Sequence, residues 1–299
     1  MRALRSSDEK IFTTGVIVAL ALLATVSLMP FLLIAVASVT SEKSLIASGY
    51  TFFPSALSLD AYYYMVVQAG VVLRAYGVSI FVTTVGTGAS LLLTPLLAYP
   101  LSRRDFPLRG PLTFIVFFTL LFNGGIVPAY IMWTRVFAIK NTLWALILPN
   151  YLISGFSVLL VKNYFERNIP KDLIEAAQMD GASEFTIFFK VMLPLATPAL
   201  ATVGLMTGLA YWNDWINGLY YINDPSLYGI QQLLIRILDN IQFLKSGNAA
   251  AVVGSVVVDL PGAAVRMALA VVGILPILIV FPWLQKYLIR GMVVGAVKG

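Results

Sequence analysis

The chain has 299 residues, of which 59% are hydrophobic and only 11% charged, and its 20 Lys and Arg against 14 Asp and Glu give a formal net charge of +6. A soluble domain carries roughly twice that charged fraction, so composition selects the membrane class. Having no Cys and no His removes thiolate nucleophiles, disulfides, zinc sites and the commonest general base, and the cations lie scattered between apolar runs rather than on the one wettable face of a nucleic-acid binder.

A helix needs about 20 apolar residues to cross the hydrocarbon core. Six stretches meet or approach that length: Ile11 to Ser38, Tyr76 to Leu101, Pro111 to Trp133, Leu143 to Val161, Ala196 to Tyr220, and Met267 to Leu288. The first is too long for the apolar region of a signal peptide and lacks a convincing cleavage site, so it is expected to stay as a spanning helix. The segment behind it, Val39 to Ala75, holds Phe52, Phe53, Pro54 and the triplet Tyr62-Tyr63-Tyr64, for which an aromatic belt at the headgroup level is preferred over sugar stacking. Gly86, Gly88 and Ser90 in the second stretch, and Gly204 and Gly208 in the fifth, permit close helix approach, with ordinary packing as the preferred reading. Pro149 and Asn150 interrupt the fourth stretch, which is therefore expected to face protein rather than lipid. A second long segment, Ile222 to Arg266, contains Asn223-Asp224-Pro225 and a helical-looking Tyr228 to Lys245; both long segments are expected to form interfacial helices around a pore entrance.

The placement of Lys and Arg sets orientation. With the N-terminus inside, Arg2, Arg5, Lys10, Arg103, Arg104, Arg109, Lys162, Arg167, Lys171, Lys190, Lys286, Arg290 and Lys298 are cytoplasmic, thirteen of the twenty. Lys43, Arg74, Arg135, Lys140, Arg236, Lys245 and Arg266 remain outside, spread over longer loops where positive charge weighs less. Six spans with both termini in the cytoplasm is the arrangement favoured.

Between the fourth and fifth stretches, Lys162 to Pro194 is a charge-bearing, small-residue island that must meet water. Pro170 suits a first helical turn, Asp172 and Glu175 sit near the positive end of its dipole, and a short helix is expected from about Pro170 to Met179. Asp180-Gly181 is a strong stop, because glycine closes a helix in the left-handed conformation at negligible steric cost. Ser183 can then cap a second helix through Glu184, Phe185, Phe188, Phe189 and Met192 as far as Pro194. Ala176, Ala177, Gly181 and Ala182 make a knob of little bulk that a groove on another protein can approach closely, and the three phenylalanines are expected to anchor it. On residue types alone, a docking knob and a surface helix pair with no partner stand even.

The spaced pattern Glu175-Ala176-Ala177, Gly181 six residues after the glutamate, nine intervening residues, then Val191-x-Leu193-Pro194 resembles the EAA loop of ABC importer permeases, as does Asp180-Gly181-Ala182-Ser183. The family's aliphatic position after the nine intervening residues is usually Ile, where this chain has Val191. Phe122-Asn123-Gly124-Gly125-Ile126-Val127-Pro128, Asn141 to Pro149, Tyr211-Trp212-Asn213-Asp214-Trp215 and the tail Gly291 to Gly299 extend the likeness over nearly the whole chain, toward carbohydrate permeases of the MalG and LplC type. Within that group the chain resembles in particular the branch importing complex oligosaccharides and polysaccharides, including alginate. The resemblance implies an all-α, polytopic type I importer fold in which residues 1–299 form a single permease domain with six spans, a coupling loop at 162–195 and a cytoplasmic tail at 289–299. It also implies that Glu175, Ala176, Ala177, Asp180, Gly181 and Ala182 engage a separate ATPase, and that Val297, Lys298 and Gly299 reach the ATPase dimer interface. The implied partners are a second, MalF-like permease, two copies of the ATPase carrying ATP and Mg, an extracytoplasmic sugar-binding protein and lipid, all at the bacterial cytoplasmic membrane. This chain itself would bind no cofactor or metal and catalyse nothing, and it contains no G-x-x-x-x-G-K-[ST] loop to cradle a nucleotide.

Polar groups at membrane depth are default functional candidates. Asn123, Asn150, Asn213, Asp214 and Asn217 qualify, and Tyr211 to Asn217, with Trp212 and Trp215, combines the aromatic faces and hydrogen-bonding groups that suit a sugar; a helix end at the outer interface would have the same make-up. Arg74, Arg135, Lys140, Arg236 and Lys245 could attract a polyuronate or could simply be solvated. An ion-coupled secondary transporter is the competing class; it usually needs an intramembrane carboxylate, and only Asp214 and Asp259 lie near the spans.

Overall fold

The computed structural model describes residues 7–67, 69–245 and 262–296. Among these, every regular element is helical, and the one pairing of extended backbone is the isolated antiparallel bridge between Thr40 and Leu57. The chain divides into two compact units, Met1–Ala69 with Ile237–Pro276, and Gly70–Arg236 with Ile277–Gly299.

In the first unit, α1 (Ser7–Ser38) contains the first expected span, and none of its most apolar stretch is buried by the rest of the chain. Its end is fixed locally: Ser38 Oγ donates to Ala35 O at 2.7 Å and lies 2.9 Å from the Tyr62 hydroxyl. Ser41, in extended backbone, caps α2 (Glu42–Ser48) by accepting from Ser44 N–H. Tyr62 sits on α3 (Asp60–Val67) and is thereby engaged by α1, whereas Tyr63 is exposed. The carboxylate of Glu42 reaches far along the sequence. Its oxygens accept from Ala263 N–H at 3.0 and 2.9 Å and from Ala264 N–H at 2.9 Å, in the first turn of the last helix, α15 (Gly262–Ala296). Those donors have no intrahelical partner, and the carboxylate satisfies them while meeting the positive end of the helix dipole.

In the second unit, α4 (Ala69–Ser102) is 34 residues long, about 51 Å at 1.5 Å per residue, so it outreaches a hydrocarbon core of about 30 Å. It packs on α12 (Thr197–Trp212) through small residues. A Cβ on Gly204 would meet Leu91 at 3.2 Å, one on Gly208 would meet Thr87 at 3.5 Å, and one on Gly86 would fall 2.5 Å from the Tyr211 ring. Packing is what these glycines serve.

The expected third span is not one helix. α5 (Arg109–Leu121) stops at Phe122, and the chain resumes as α6 (Ile126–Ile131) and a π-helical turn, bent by 114°. Gly125, at φ +85°, and the Asn123 Oδ1 that accepts from its N–H at 2.8 Å make this corner. Nor is Leu143 to Val161 continuous: α7 (Trp144–Ile147) is a single turn, Asn150 adopts φ +69°, and α8 (Gly155–Asn168) begins only afterwards. Residues Pro149 and Asn150, marked as an interruption in the sequence, end the helix outright. α9 (Lys171–Met179) follows, then α10 (Glu184–Ile187) with a π-helical turn and α11 (Leu193–Leu195), which meets α12 at 77°. α13 (Ile216–Tyr221) and α14 (Ile230–Lys245) complete the order. Among the described residues, α1, α4 and α15 are long and apolar enough to cross a bilayer alone, and the two bent pairs are so only jointly.

Replacing Glu42 by Ala removes acceptors from the first turn of α15 and is expected to cost about 1 kcal/mol or more. The check is thermal unfolding of the detergent-solubilised protein, where a midpoint equal to wild type would mean that α15 does not need this carboxylate.

Candidate functional site

Two apolar clusters organise the second unit. One surrounds Ala98, Tyr99 and Leu101 of α4 with Val158, Val161 and Phe165 of α8 and Ile187, Phe188 and Met192 after α9. The other joins Val82 of α4 to Ala145, Leu146, Ile147, Tyr211, Tyr221 and Ile222. Val82 and Ala98 are sixteen residues apart on one helix, about 24 Å.

The first cluster carries the expected knob. Pro170, extended at φ −60° and ψ 138°, stands just before α9 rather than inside its first turn. Ile174, Ala177 and Ala182 lie against the cluster, whereas Glu175, Ala176, Gln178, Asp180 and Gly181 are exposed. The helix closes as the sequence dictates: Gly181, at φ +77°, donates to Gln178 O, Ala182 donates to Ala177 O, both at 3.0 Å, and Asp180 donates to Ala176 O. These are the paired bonds of a Schellman motif, with the small apolar contact between Ala177 and Ala182 that accompanies it. Ser183 caps α10 by accepting from Thr186 N–H.

The three phenylalanines differ in role from the expectation. Phe188 is buried against the Tyr99 ring at 5.4 Å, but Phe185 is 74% exposed and Phe189 48%. A π-helical turn through Phe188–Met192 shifts the phase, so Ile187 and Met192 take the inward positions instead. Sequence reasoning also passed over Met179, which is 88% exposed at the tip of α9, and Leu173, 45% exposed. Both were visible as apolar residues off the inward face of a short helix. Ala176 and Phe185 are exposed as well, so α9 and the start of α10 present apolar side chains to solvent beside Glu175 and Asp180.

A polar frame holds the knob's surroundings. Arg109 donates to Leu101 O at 3.0 Å and to Glu166 at 2.6 Å, and Lys162 pairs with the same carboxylate one helical turn away at 3.1 Å. Arg103 donates twice to Asp105, and those bonds hold the Asp105 carboxyl below its ordinary range. The pairing of Arg109 with Glu166, 57 positions away, needs a fold to be seen, whereas that of Lys162 with Glu166 follows from helical spacing.

The second cluster receives most of the pathway candidates. Tyr211 is buried and donates to Ile147 O at 2.7 Å; Asn217, fully buried, accepts from Asn150 Nδ2 at 2.9 Å. Asp214 Oδ1 accepts from the N–H groups of Ile216 and Asn217 at 3.1 Å, starting α13. Trp212 is buried, while Asn213 and Trp215 are exposed and Asn213 donates back to Leu209 O. Asn123 is held in its own corner after α5. Tyr211, Asp214 and Asn217 therefore knit α7, α12 and α13 together, and of the candidates between Tyr211 and Asn217 that leaves Asn213 and Trp215 exposed. Asn141, at φ +57°, does similar work by accepting from Asn223 N–H at 2.6 Å and donating to Tyr221 O. Arg74 and Arg135 are exposed, Lys140 bonds the Tyr130 hydroxyl, and Arg236 lies over the Tyr228 ring; the side chain of Lys245 and residues Asp259, Val297, Lys298 and Gly299 lie outside the described structure.

The family described as binding-protein-dependent transport system inner membrane component matches residues 13–294. The chain belongs to this family of ABC transporter permeases. It is 36% identical over 280 residues to the polygalacturonan/rhamnogalacturonan transport system permease protein YtcP of Bacillus subtilis, covering 94% of this chain and 96% of the relative. It is 38% identical to the protein LplC of the same organism, with 92% and 90% covered. A crystal structure of a bacterial ABC transporter involved in the import of the acidic polysaccharide alginate contains a chain that superposes with a TM-score of 0.78 at 29% identity, covering 95% of this chain and 99% of that one. The protein is thus a membrane permease component of the sugar ABC importer kind.

A Cβ on Gly181 meets nothing within 4 Å, so substitution there is opposed by backbone strain alone. Asn, which tolerates left-handed backbone, is expected to keep the closure, Ala to cost about 1 kcal/mol and Val more. Hydrogen exchange at the Gly181 and Ala182 amides orders the three variants; equal exchange in all would dissociate the closure from this backbone angle.

Proposed function

We propose that this chain is the non-catalytic, six-span permease subunit of an ATP-driven importer of complex oligosaccharides or polysaccharides, with an acidic cargo such as alginate favoured. Residues 1–299 act as one permease domain with both termini cytoplasmic, in the bacterial inner membrane. Loop 162–195 faces the cytoplasm and α9 seats in a cleft of a separate ATPase, two copies of which bind ATP and Mg; the chain holds no cofactor or metal of its own. A second, MalF-like permease and an extracytoplasmic sugar-binding protein complete the assembly, and the tail at 289–299, through Val297, Lys298 and Gly299, reaches the ATPase dimer interface. One observation carries this reading: α9 turns Ile174 and Ala177 onto the core and keeps Glu175, Ala176 and Met179 in solvent, in a chain of this family. Apolar area of that kind, closed by a rigid turn, suits burial in a partner. Substrate class rests on what the relatives are named for, and the exposed Arg74 and Arg135 are compatible with an anionic cargo. Asn213 and Trp215 are the pathway residues best placed to meet it, with Asn123, Tyr211, Trp212, Asp214 and Asn217 supporting the wall.

In this mechanism ATP draws the ATPase dimer together, the seated knobs follow, and the permease pair shifts from inward-facing to outward-facing. The ligand-dependent contacts that shift the population are on the ATPase, which is why hydrolysis and permeation need separate chains. An ion-coupled transporter would need an intramembrane carboxylate dedicated to proton or sodium exchange, whereas Asp214 Oδ1 accepts from two backbone N–H groups and so serves the first turn of α13.

Ala176→Trp combined with Met179→Glu is expected to weaken ATPase co-purification by about 2 kcal/mol or more, the scale of an interface hot spot, and to abolish sugar-stimulated hydrolysis. In proteoliposomes, uptake should require ATP and ignore sodium or proton gradients. Unimpaired ATPase binding in the double variant, or gradient-driven uptake without ATP, would each reject this assignment.

A further inference from the structure

α9 is lightly tied to the rest of its unit. Its underside rests on apolar contacts through Ile174 and Ala177. Toward the turn that joins α4 to α5 it is separated by an open cleft of about 360 Å³, bordered by Arg103, Arg104, Arg109, Lys171, Glu175 and Gln178. Among the described residues, one side-chain hydrogen bond leaves the helix for another element: Gln178 Nε2 donates to Glu184 Oε1 at 3.1 Å. That same carboxylate carries the contact onward. Its Oε2 accepts from the Tyr99 hydroxyl, and its Oε1 lies 3.5 Å from Arg103 Nη2. Tyr99 stands in the last turns of α4, only 9% exposed, with its ring edge-on to Phe165 and tilted against Phe188. Arg103 is the first residue beyond α4, and its side chain is 14% exposed.

We propose that Glu184 is a positioning residue that gears the docking helix to α4, so that a displacement of α9 is delivered to the longest helix of this unit instead of being absorbed in the loop. This rests on the docking reading above. Apolar contacts resist separation but allow sliding, because dispersion is undirected; a carboxylate shared by a tyrosine, an arginine and a glutamine fixes direction as well as distance. The Arg103 contact alone, at 3.5 Å to a carboxylate that is itself 55% exposed, would contribute little. The Tyr99 bond is different, since its loss leaves a hydroxyl without a partner inside an aromatic cluster. Glu184 is also the first residue of α10, directly after the Ser183 cap, so its backbone is held by the turn that closes α9. Without its side chain, α9 can swing about Gly181 on one side and Ile169 and Pro170 on the other.

The chain has no Cys, so paired labels can be placed without removing native thiols. In the complete importer reconstituted in lipid, Asp172→Cys and Leu92→Cys would report the distance between α9 and α4. The expected result is one distance distribution that is the same in ADP and in ATP with Mg, and a distribution that shifts or broadens with ATP in Glu184→Ala. Sugar moved per ATP should fall about fivefold in Glu184→Ala, as the loss of a hydrogen-bonded tie implies, and should largely recover in Glu184→Gln, which keeps an acceptor oxygen for Tyr99. Should Glu184→Ala fold poorly, Tyr99→Phe cuts the same bond from the other side and should give the same distance signature. Wild-type sugar per ATP in Glu184→Ala, or a distribution insensitive to ATP in both variants, overturns the proposal. Loss of the ATPase from the purified Glu184→Ala complex overturns it too, because the residue then belongs to the docking surface, with the docking reading intact. If instead the Ala176→Trp, Met179→Glu variant keeps its ATPase, the docking reading is what has failed.

Discussion

A nine-residue helix does not persist by itself in water, because nucleation costs more than two turns of hydrogen bonds return. Whatever α9 does to another protein therefore depends on the apolar cluster beneath it, where Ile174, Ala177 and Ala182 meet residues of α4, α8 and α10. That dependence explains the make-up of the loop. The inward face must be apolar to hold the helix, the outward face must be small or apolar to be buried by a partner, and the turn must close without bulk, which the left-handed Gly181 achieves. These demands fall on nine consecutive residues, Ile174 to Ala182: Ile174, Ala177 and Ala182 meet the first, Ala176 and Met179 the second beside the charged Glu175 and Asp180, and Gly181 the third.

Like α12, which gives Val203 to one and Tyr211 to the other, α4 enters both clusters of this unit. Its C-terminal turns supply Ala98, Tyr99 and Leu101 to the cluster under α9, and Val82, about 24 Å away along the same helix, enters the one built around Tyr211 and Ile147. Close-packed helices move as bodies because interiors near crystal density have no slack to absorb a shift. Gly86 has room for no Cβ against the Tyr211 ring, so that ring of α12 lies directly on the backbone of α4. α4 thereby links the cluster under α9 to the one that holds the corner where Asp214 starts α13 and where Asn150 and Asn217 are bonded. The polar groups at that corner hold the joint rigid, a use of buried hydrogen bonds that is distinct from ligand binding.

Much of this was legible in the sequence, and the misses share a cause. The closure at Asp180-Gly181, the Ser183 cap, the short helix before them and the long helices α1, α4 and α15 follow from local chemistry and apolar length, which a chain carries within a few residues. Continuity of the third and fourth spans was not local: Gly124-Gly125 and Pro149-Asn150 can bend a helix or end it, and the outcome depends on whether a neighbour re-satisfies the freed backbone groups. Here Asn123 and Asn217 do so with side chains, stabilising corners instead of continuations. The phase error at Phe185, Phe188 and Phe189 has the same origin, since a π-helical turn adds a residue that no 3.6-residue period anticipates. Glu184 drew attention only as a helix-forming residue, because its partners Tyr99 and Arg103 lie more than eighty positions away.

The distribution of polar residues bears on where selectivity resides. A site for a hydroxyl-rich ligand needs hydrogen-bonding groups that are unspent and reachable, because a group already paired gains little by exchanging partners. Of the polar and aromatic residues between Tyr211 and Asn217, Tyr211, Asp214 and Asn217 are committed to the backbone or to Asn150, and Asn213 bonds its own helix. Trp215, exposed at the turn, offers a face but no dense set of donors and acceptors. On the proposed importer reading, a wall built this way would let an oligosaccharide pass with few strong contacts, which suits translocation, since a tight site on the path would retain its cargo. On that same proposed reading, discrimination between one complex sugar and another falls to the other components of the importer, and this chain contributes the stiffness that links a docking helix to a moving wall.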